Sequence, residues 1–105
     1  MKIRKCSQTD EKDIRALWSY CFEREDDPWF RWYFRELYRP EDVLAGEEAE
    51  KIACNLHRRP YEICIRGAKM PVDYIVGVAT HPAARGKGLA TELLRGAFHM
   101  ARMEN

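Results

Sequence analysis

Long apolar runs are missing from this chain. No stretch approaches the ~20 residues that cross a bilayer, and the basic opening Met1 to Lys5 passes into Ser7-Gln8-Thr9-Asp10 rather than into a signal-peptide core. An excess of one charge is missing too: 18 Lys and Arg stand against 17 Asp and Glu, which disfavours nucleic acid or an anionic membrane as the main partner. Cysteine is scarce. Cys6, Cys21, Cys54 and Cys64 show neither CxxC spacing nor the density of a disulfide scaffold, so reduced thiols and a cytoplasmic location are expected. His57, His81 and His99 fall in separate segments without an i, i+4 pair, so no metal site is expected. Repeats, low-complexity tracts and linkers are also lacking, and 105 residues make one small domain, 1–105.

Glycine is sparse, with six residues, which makes Gly86 and Gly88 conspicuous. They sit in His81-Pro82-Ala83-Ala84-Arg85-Gly86-Lys87-Gly88-Leu89-Ala90, between the apolar run Tyr74 to Thr80 and an amphipathic segment ending near Arg102. The pattern predicts a strand, a basic loop and a helix N-terminus. Such a junction suits a phosphate ligand. First-turn amides have no intrahelical acceptor, the helix dipole favours an anion there, and the glycines leave the approach open. Arg85 and Lys87 add full charges. A Walker loop is excluded because Lys87 is followed by Gly88 and the upstream glycine is absent. A dinucleotide fingerprint fits poorly, since Gly86-Lys87-Gly88-Leu89-Ala90 leads to Thr91 and no second strand follows.

Upstream, Lys2 to Cys6 reads as a short strand. Thr9 or Asp10 can cap a helix whose apolar face is Ile14, Leu17, Trp18, Cys21 and Phe22. An acidic link, Glu23 to Asp27, leads to Pro28 at the first position of a second helix that runs towards Pro40, giving a helical hairpin. That second helix carries Trp29, Phe30, Trp32, Tyr33, Phe34, Leu37 and Tyr38 on more than one face, so some rings must meet another segment, a partner or a pocket. Some of them, with acids of the preceding link, could receive a cationic amine: Glu23, Asp26 and Trp32 are the candidates. Val43 to Ala45 is a further short strand. Ile52, Cys54 and Leu56, then Tyr61, Ile63 and Ile65, alternate with polar residues on either side of Arg58-Arg59-Pro60 and predict two antiparallel strands. A turn at Arg66 to Lys69 feeds a longer strand from about Val72 to Thr80, where Gly77 marks a bulge or a close ligand. Leu89, Leu93, Leu94, Ala97, Phe98 and Ala101 form the expected buried face of the last helix.

Arg85-x-x-Gly88-x-Ala90 after a strand resembles the pyrophosphate loop of the GNAT N-acetyltransferases. The segment order, with Trp29 to Phe34, Arg59 to Ile63 and Val72 to Pro82, is similar to the N-terminal part of Eis-type (enhanced intracellular survival) acetyltransferases and covers essentially the whole chain. The resemblance implies an α+β fold: a partial GNAT domain with a mixed, mostly antiparallel sheet, an N-terminal helical hairpin and a C-terminal loop helix. It implies acetyl-CoA as co-substrate and a primary amine as acceptor. Val78, Ala79 and Thr80 would bind pantetheine and the acetyl carbonyl through the main chain. Arg85, Gly86, Lys87, Gly88, Leu89, Ala90 and Thr91 would hold the pyrophosphate.

In Eis-type enzymes the proton donor is a tyrosine beyond the loop helix and the base is a terminal carboxylate, so no catalytic acid or base is assigned among these residues. Tyr61 and Tyr74 are read as core or cross-strand residues, and His81 before Pro82 as structural. On this reading the chain is a truncated N-terminal portion of an acyltransferase. A CoA-binding or oligomerisation module without chemistry, and a nucleotide-phosphate binder, remain open. An exposed central-strand edge leads to the expectation of a homo-oligomer.

Overall fold

The structure, a computed structural model, describes residues 1–104. Four strands, β1 (Lys2–Lys5), β2 (Val43–Glu48), β3 (Lys51–Ile65) and β4 (Ala68–Thr80), form one sheet in the order β1-β2-β3-β4, and every pairing is antiparallel. Three helices accompany it: α1 (Glu11–Cys21), α2 (Pro28–Trp32) and α3 (Leu89–Glu104).

Successive residues of β2 show how the layers lie, because side chains alternate across a strand. Val43 and Ala45 belong to a core cluster with Ile14 and Trp18 of α1 and Phe30 of α2, whereas Leu44 between them joins Leu56 of β3 and Leu89, Leu93 and Ala97 of α3. The sheet is therefore sandwiched between α1 and α2 on one face and α3 on the other. Ile14, Phe30, Leu56 and Leu93 are fully buried, each contributing about 2 kcal/mol by removal of its apolar surface from water.

The helical hairpin forms as its sequence signals direct. Asp27 accepts a hydrogen bond from the Trp29 amide at 2.8 Å and Pro28 occupies the first turn of α2. Past Trp32 the helix widens into a π-type turn, Tyr33–Leu37, closed by the Tyr38 amide on the Tyr33 carbonyl. Phe30, Tyr33 and Phe34 are buried, while Trp29 and Trp32 remain outside, stacked on each other at 5.1 Å.

Three expectations are corrected. Arg58-Arg59-Pro60 is not a turn: β3 runs through it unbroken, with Pro60 opposite Asp73. Pairing with β2 stops at His57, so proline falls where β3 has a free edge, a setting that tolerates it. The reversal lies at Arg66 and Gly67, both at positive φ (52° and 82°), the geometry of a two-residue hairpin. Phe98 is 60% exposed rather than buried. The sheet-facing stripe of α3 is Leu89, Leu93 and Ala97, and Phe98 lies a further ~100° round the helix. Phe22, just past the end of α1, is also exposed.

Candidate functional site

β4 is the last strand of the sheet, so its outer edge has no strand partner among the described residues. Close to its end the register shifts: Asn55 pairs with Ala79 but His57 pairs with Val76, leaving Gly77 and Val78 opposite the single residue Leu56. This is a β-bulge, with Gly77 in the left-handed region at φ 63°. A Cβ at Gly77 would lie 2.5 Å from Cζ3 of Trp18 and 2.9 Å from Cδ2 of His57, so side chains press on the bulge from the α1 and α2 face. Val78 is exposed, Ala79 buried and Thr80 half-buried.

The support beneath the bulge is aromatic and polar together. Trp18 stacks on Tyr33 at 4.8 Å and meets His57 edge-on at 5.1 Å. Tyr33 Oη and His57 Nδ1 share a hydrogen bond of 2.7 Å, and the buried Nε2 has no partner. Burial, with Arg59 nearby, pushes the His57 pKa down to about 4, so the ring is neutral at pH 7. Burial likewise pushes the Tyr33 phenol well above its ordinary value.

After Thr80 the chain makes a short 3-10 turn, Pro82–Ala84, in which His81 Nδ1 accepts from the Ala83 amide at 3.1 Å. His81 is thus a turn cap, as its position before Pro82 suggested. Arg85, Gly86, Lys87 and Gly88 are all exposed and lead into α3. Gly86 and Gly88 have φ 82° and 71°, values that favour glycine, and the space where a Cβ would stand is open at both. Gly88 has no side chain to cap the helix, so the amides of Leu89, Ala90 and Thr91 stand without intrahelical acceptors. Arg85 is held in place: its Nε donates to the Thr80 carbonyl at 3.3 Å and its Nη2 lies 3.5 Å from Cys21 Sγ. The loop therefore offers open amides and two cationic side chains directly after the bulged strand, which fits a phosphate group.

The three acceptor candidates separate. Glu23 accepts from the Trp18 indole N–H at 2.8 Å, which places its carboxylate beside the ring that covers Gly77. Trp32 stacks on Trp29, whose ring is 6.2 Å from that of Tyr33. Asp26 lies on the exposed link, 3.9 Å from Arg24. Tyr61 and Tyr74 form a cross-strand pair at 6.2 Å on exposed surface, not in the core.

Sequence reasoning missed His57, and nothing in its local pattern marks it. It also missed Tyr20 and Cys21 as neighbours of the loop, with the Arg85 guanidinium 5.8 Å from the Tyr20 ring. An open cleft of about 920 Å³ runs on this side, lined by Leu17, Tyr20, Glu48, Lys51, His81 and Lys87 among others. Among the described residues no helix is long and apolar enough to cross a membrane, and no group of three or more His, Cys, Asp or Glu side chains is placed to hold a metal ion.

A family profile described as "Acetyltransferase (GNAT) domain" matches residues 2–105. Solved structures share the fold. A GCN5-related N-acetyltransferase from Anabaena variabilis superposes with a TM-score of 0.86 at 22% identity, over 98% of this chain and 26% of that one. Another from Kribbella flavida gives 0.77 at 19% identity, over 99% of this chain and 28% of that one. A predicted acetyltransferase with acetyl-CoA from Clostridium acetobutylicum gives 0.71 at 19% identity, over 99% of this chain and 75% of that one. The chain thus spans about a quarter of the length of the first two. No curated protein sequence matches it.

Proposed function

The chain belongs to the GNAT acetyltransferase domain family, and from that premise we propose that it carries the acetyl-CoA-binding half of an N-acyltransferase acting on a primary amine. The observation that carries this reading is the open loop Arg85 to Gly88, which delivers the unpaired amides of α3 directly beyond a bulged, unpartnered strand edge. A neighbour in the same fold is described with acetyl-CoA. The finer likeness to Eis-type enzymes rests on Trp29 to Phe34, Arg59 to Ile63 and Val72 to Pro82. A cytoplasmic location accords with it.

In this proposal the amides of Gly86 to Thr91 hold the pyrophosphate, with Arg85 and Lys87 neutralising its charge. Main-chain groups of Val78, Ala79 and Thr80 hold the pantetheine arm and the acetyl carbonyl. Bound acetyl-CoA supplies an activated acetyl thioester for transfer to the amine. The chain's own contribution is orientation: the bulge at Gly77 turns main-chain groups out of the ladder, and a preorganised N–H donor is worth most where negative charge develops. Glu23, fixed by the Trp18 indole next to that bulge, attracts a cationic amine and orients it. Trp32 extends this acceptor surface through a ring face stacked on Trp29, whereas Asp26, beside Arg24 on the exposed link, is not part of it.

A second reading, a CoA-binding module without turnover, is favoured by one observation. The titratable side chains nearest the bulge are already engaged, Glu23 by Trp18 and His57 by Tyr33. Calorimetric titration with acetyl-CoA, on the wild type and on Gly88→Glu, tests what the two readings share. Binding by the wild type and its loss in the variant are expected, because a carboxylate there blocks and repels the pyrophosphate. No binding by the folded wild type, or equal binding by both proteins, refutes the site. Turnover with an amine panel then separates enzyme from module.

A further inference from the structure

Beyond His57, β3 loses its pairing with β2, and β3 and β4 continue alone as a two-stranded arm that turns at Arg66 and Gly67. Every residue from Pro60 to Tyr74 is exposed except half-buried Val72. The arm is nonetheless strongly two-sided. Tyr61 lies opposite Val72, Ile63 opposite Met70 and Ile65 opposite Ala68, and directly opposed residues share a face. Tyr74 joins that face through its ring contact with Tyr61. The other face carries Glu62, Cys64, Lys69 and Asp73, with Lys69 4.0 Å from Glu62 and Arg58 donating to Asp73. A ribbon wetted on both sides has no physical reason to sort its residues this way, and an isolated two-stranded ribbon is marginal in water.

We propose that the apolar face of this arm is a dimer interface, packed face to face on the same face of a second copy of this chain. Three observations favour a second copy. The face is free of charge except for Arg59 at its base, whose guanidinium is already tied to the Leu37 carbonyl and Asp42, so two identical faces meet without like-charge repulsion. It is one face of a paired two-stranded ribbon, and such pleated faces pack about 10 Å apart with interdigitated side chains. Its area suffices: Tyr61, Ile63, Ile65, Met70 and Tyr74 are between 37% and 64% exposed. Together they present on the order of 500 Å² per copy, or roughly 1,000 Å² for the pair, the lower limit of a specific interface. A reversible, concentration-dependent dimer follows. The face, rather than the hydrogen-bonding edge of β4, makes the contact, and nothing in this depends on acetyl-CoA.

Sedimentation equilibrium of the full chain over about 1 to 300 µM, the range in which an interface of this size reports, tests the proposal. The wild type should shift from monomer to dimer. Ile63→Glu and Met70→Lys, made separately, should each remain monomeric throughout, and Glu62→Lys on the opposite face should dimerise as the wild type does. All three positions are solvent-exposed, and circular dichroism verifies that the variants fold. A wild type that stays monomeric overturns the proposal. So does a dimer that survives Ile63→Glu, which would move the contact to the β4 edge or another surface.

Discussion

Trp18 occupies the space that a side chain at Gly77 would need: a Cβ built there lies 2.5 Å from its ring. The helix α1 thus bears on the one residue of β4 whose left-handed backbone makes the bulge. Glycine is required here twice, by φ and by volume.

Gly77→Ala should destabilise the fold by about 2 to 4 kcal/mol, combining left-handed strain with overpacking. Urea unfolding measures it. A loss within about 0.5 kcal/mol of zero, as at an unconstrained surface site, would mean that the Trp18 contact yields freely.

Tyr33→Phe keeps the ring stack on Trp18 and deletes only the hydroxyl bonded to His57. His57 would then be buried with both nitrogens unpaired, a cost of about 1 to 3 kcal/mol. Replacing His57 as well with Leu removes the orphaned group. The double variant should therefore lose less than the sum of the single changes, and strict additivity in a double-mutant cycle would show that the two side chains act independently.

Stability should fall as the solution is acidified below neutrality. The unfolded His57 titrates near its ordinary value of about 6.5, whereas burial holds the folded one at about 4. Between these values the unfolded chain binds a proton that the folded chain refuses, for a loss on the order of 3 kcal/mol by the time pH reaches the lower value. Asp10, held low by its hydrogen bonds with Arg4, adds a further loss at more acidic pH. Asp42, pushed up by burial, acts in the opposite sense, its contribution fading as pH rises through the carboxylate range. Urea midpoints at several pH values provide the test. The slope between pH 6.5 and 4 should flatten in His57→Gln, and an unchanged slope would place the titrating group elsewhere.

If acceptor amines bind beside the bulge, Glu23→Gln and Trp32→Ala should raise the acceptor KM while leaving acetyl-CoA affinity unchanged. For Trp32 the effect should be about 2- to 5-fold, the worth of an exposed cation–π contact. The glutamine at 23 retains an oxygen for the Trp18 indole, so it tests charge rather than packing. Equal weakening of amine and acetyl-CoA would indicate a structural role for the residue.

Local chemistry written in consecutive residues was legible from the sequence. Pro28 after Asp27 starts α2, Gly67 turns the hairpin, and Gly86 and Gly88 open the loop into α3, because turn and cap preferences depend on neighbours a few positions away. The period-two pattern around Ile52 and Ile63 correctly announced strands, but Pro60 looked like a stop. Only the length of β2, which ends its pairing at His57, explains why β3 passes through it.

What the sequence alone determined, then, is the order of strands and helices, the family likeness, and a loop of glycines and cations fit for a phosphate. Tertiary structure decided which side chains meet there. Trp18, Tyr33, His57 and Gly77 are brought together from four elements, Glu23 is drawn to the bulge by an indole N–H, and Asp26 is left on the link. It also decided that the apolar alternation of Tyr61, Ile63 and Ile65 faces solvent rather than the core. The physical reason is the same in each case: periodicity tells which residues share a face, but only packing against distant segments decides what that face meets.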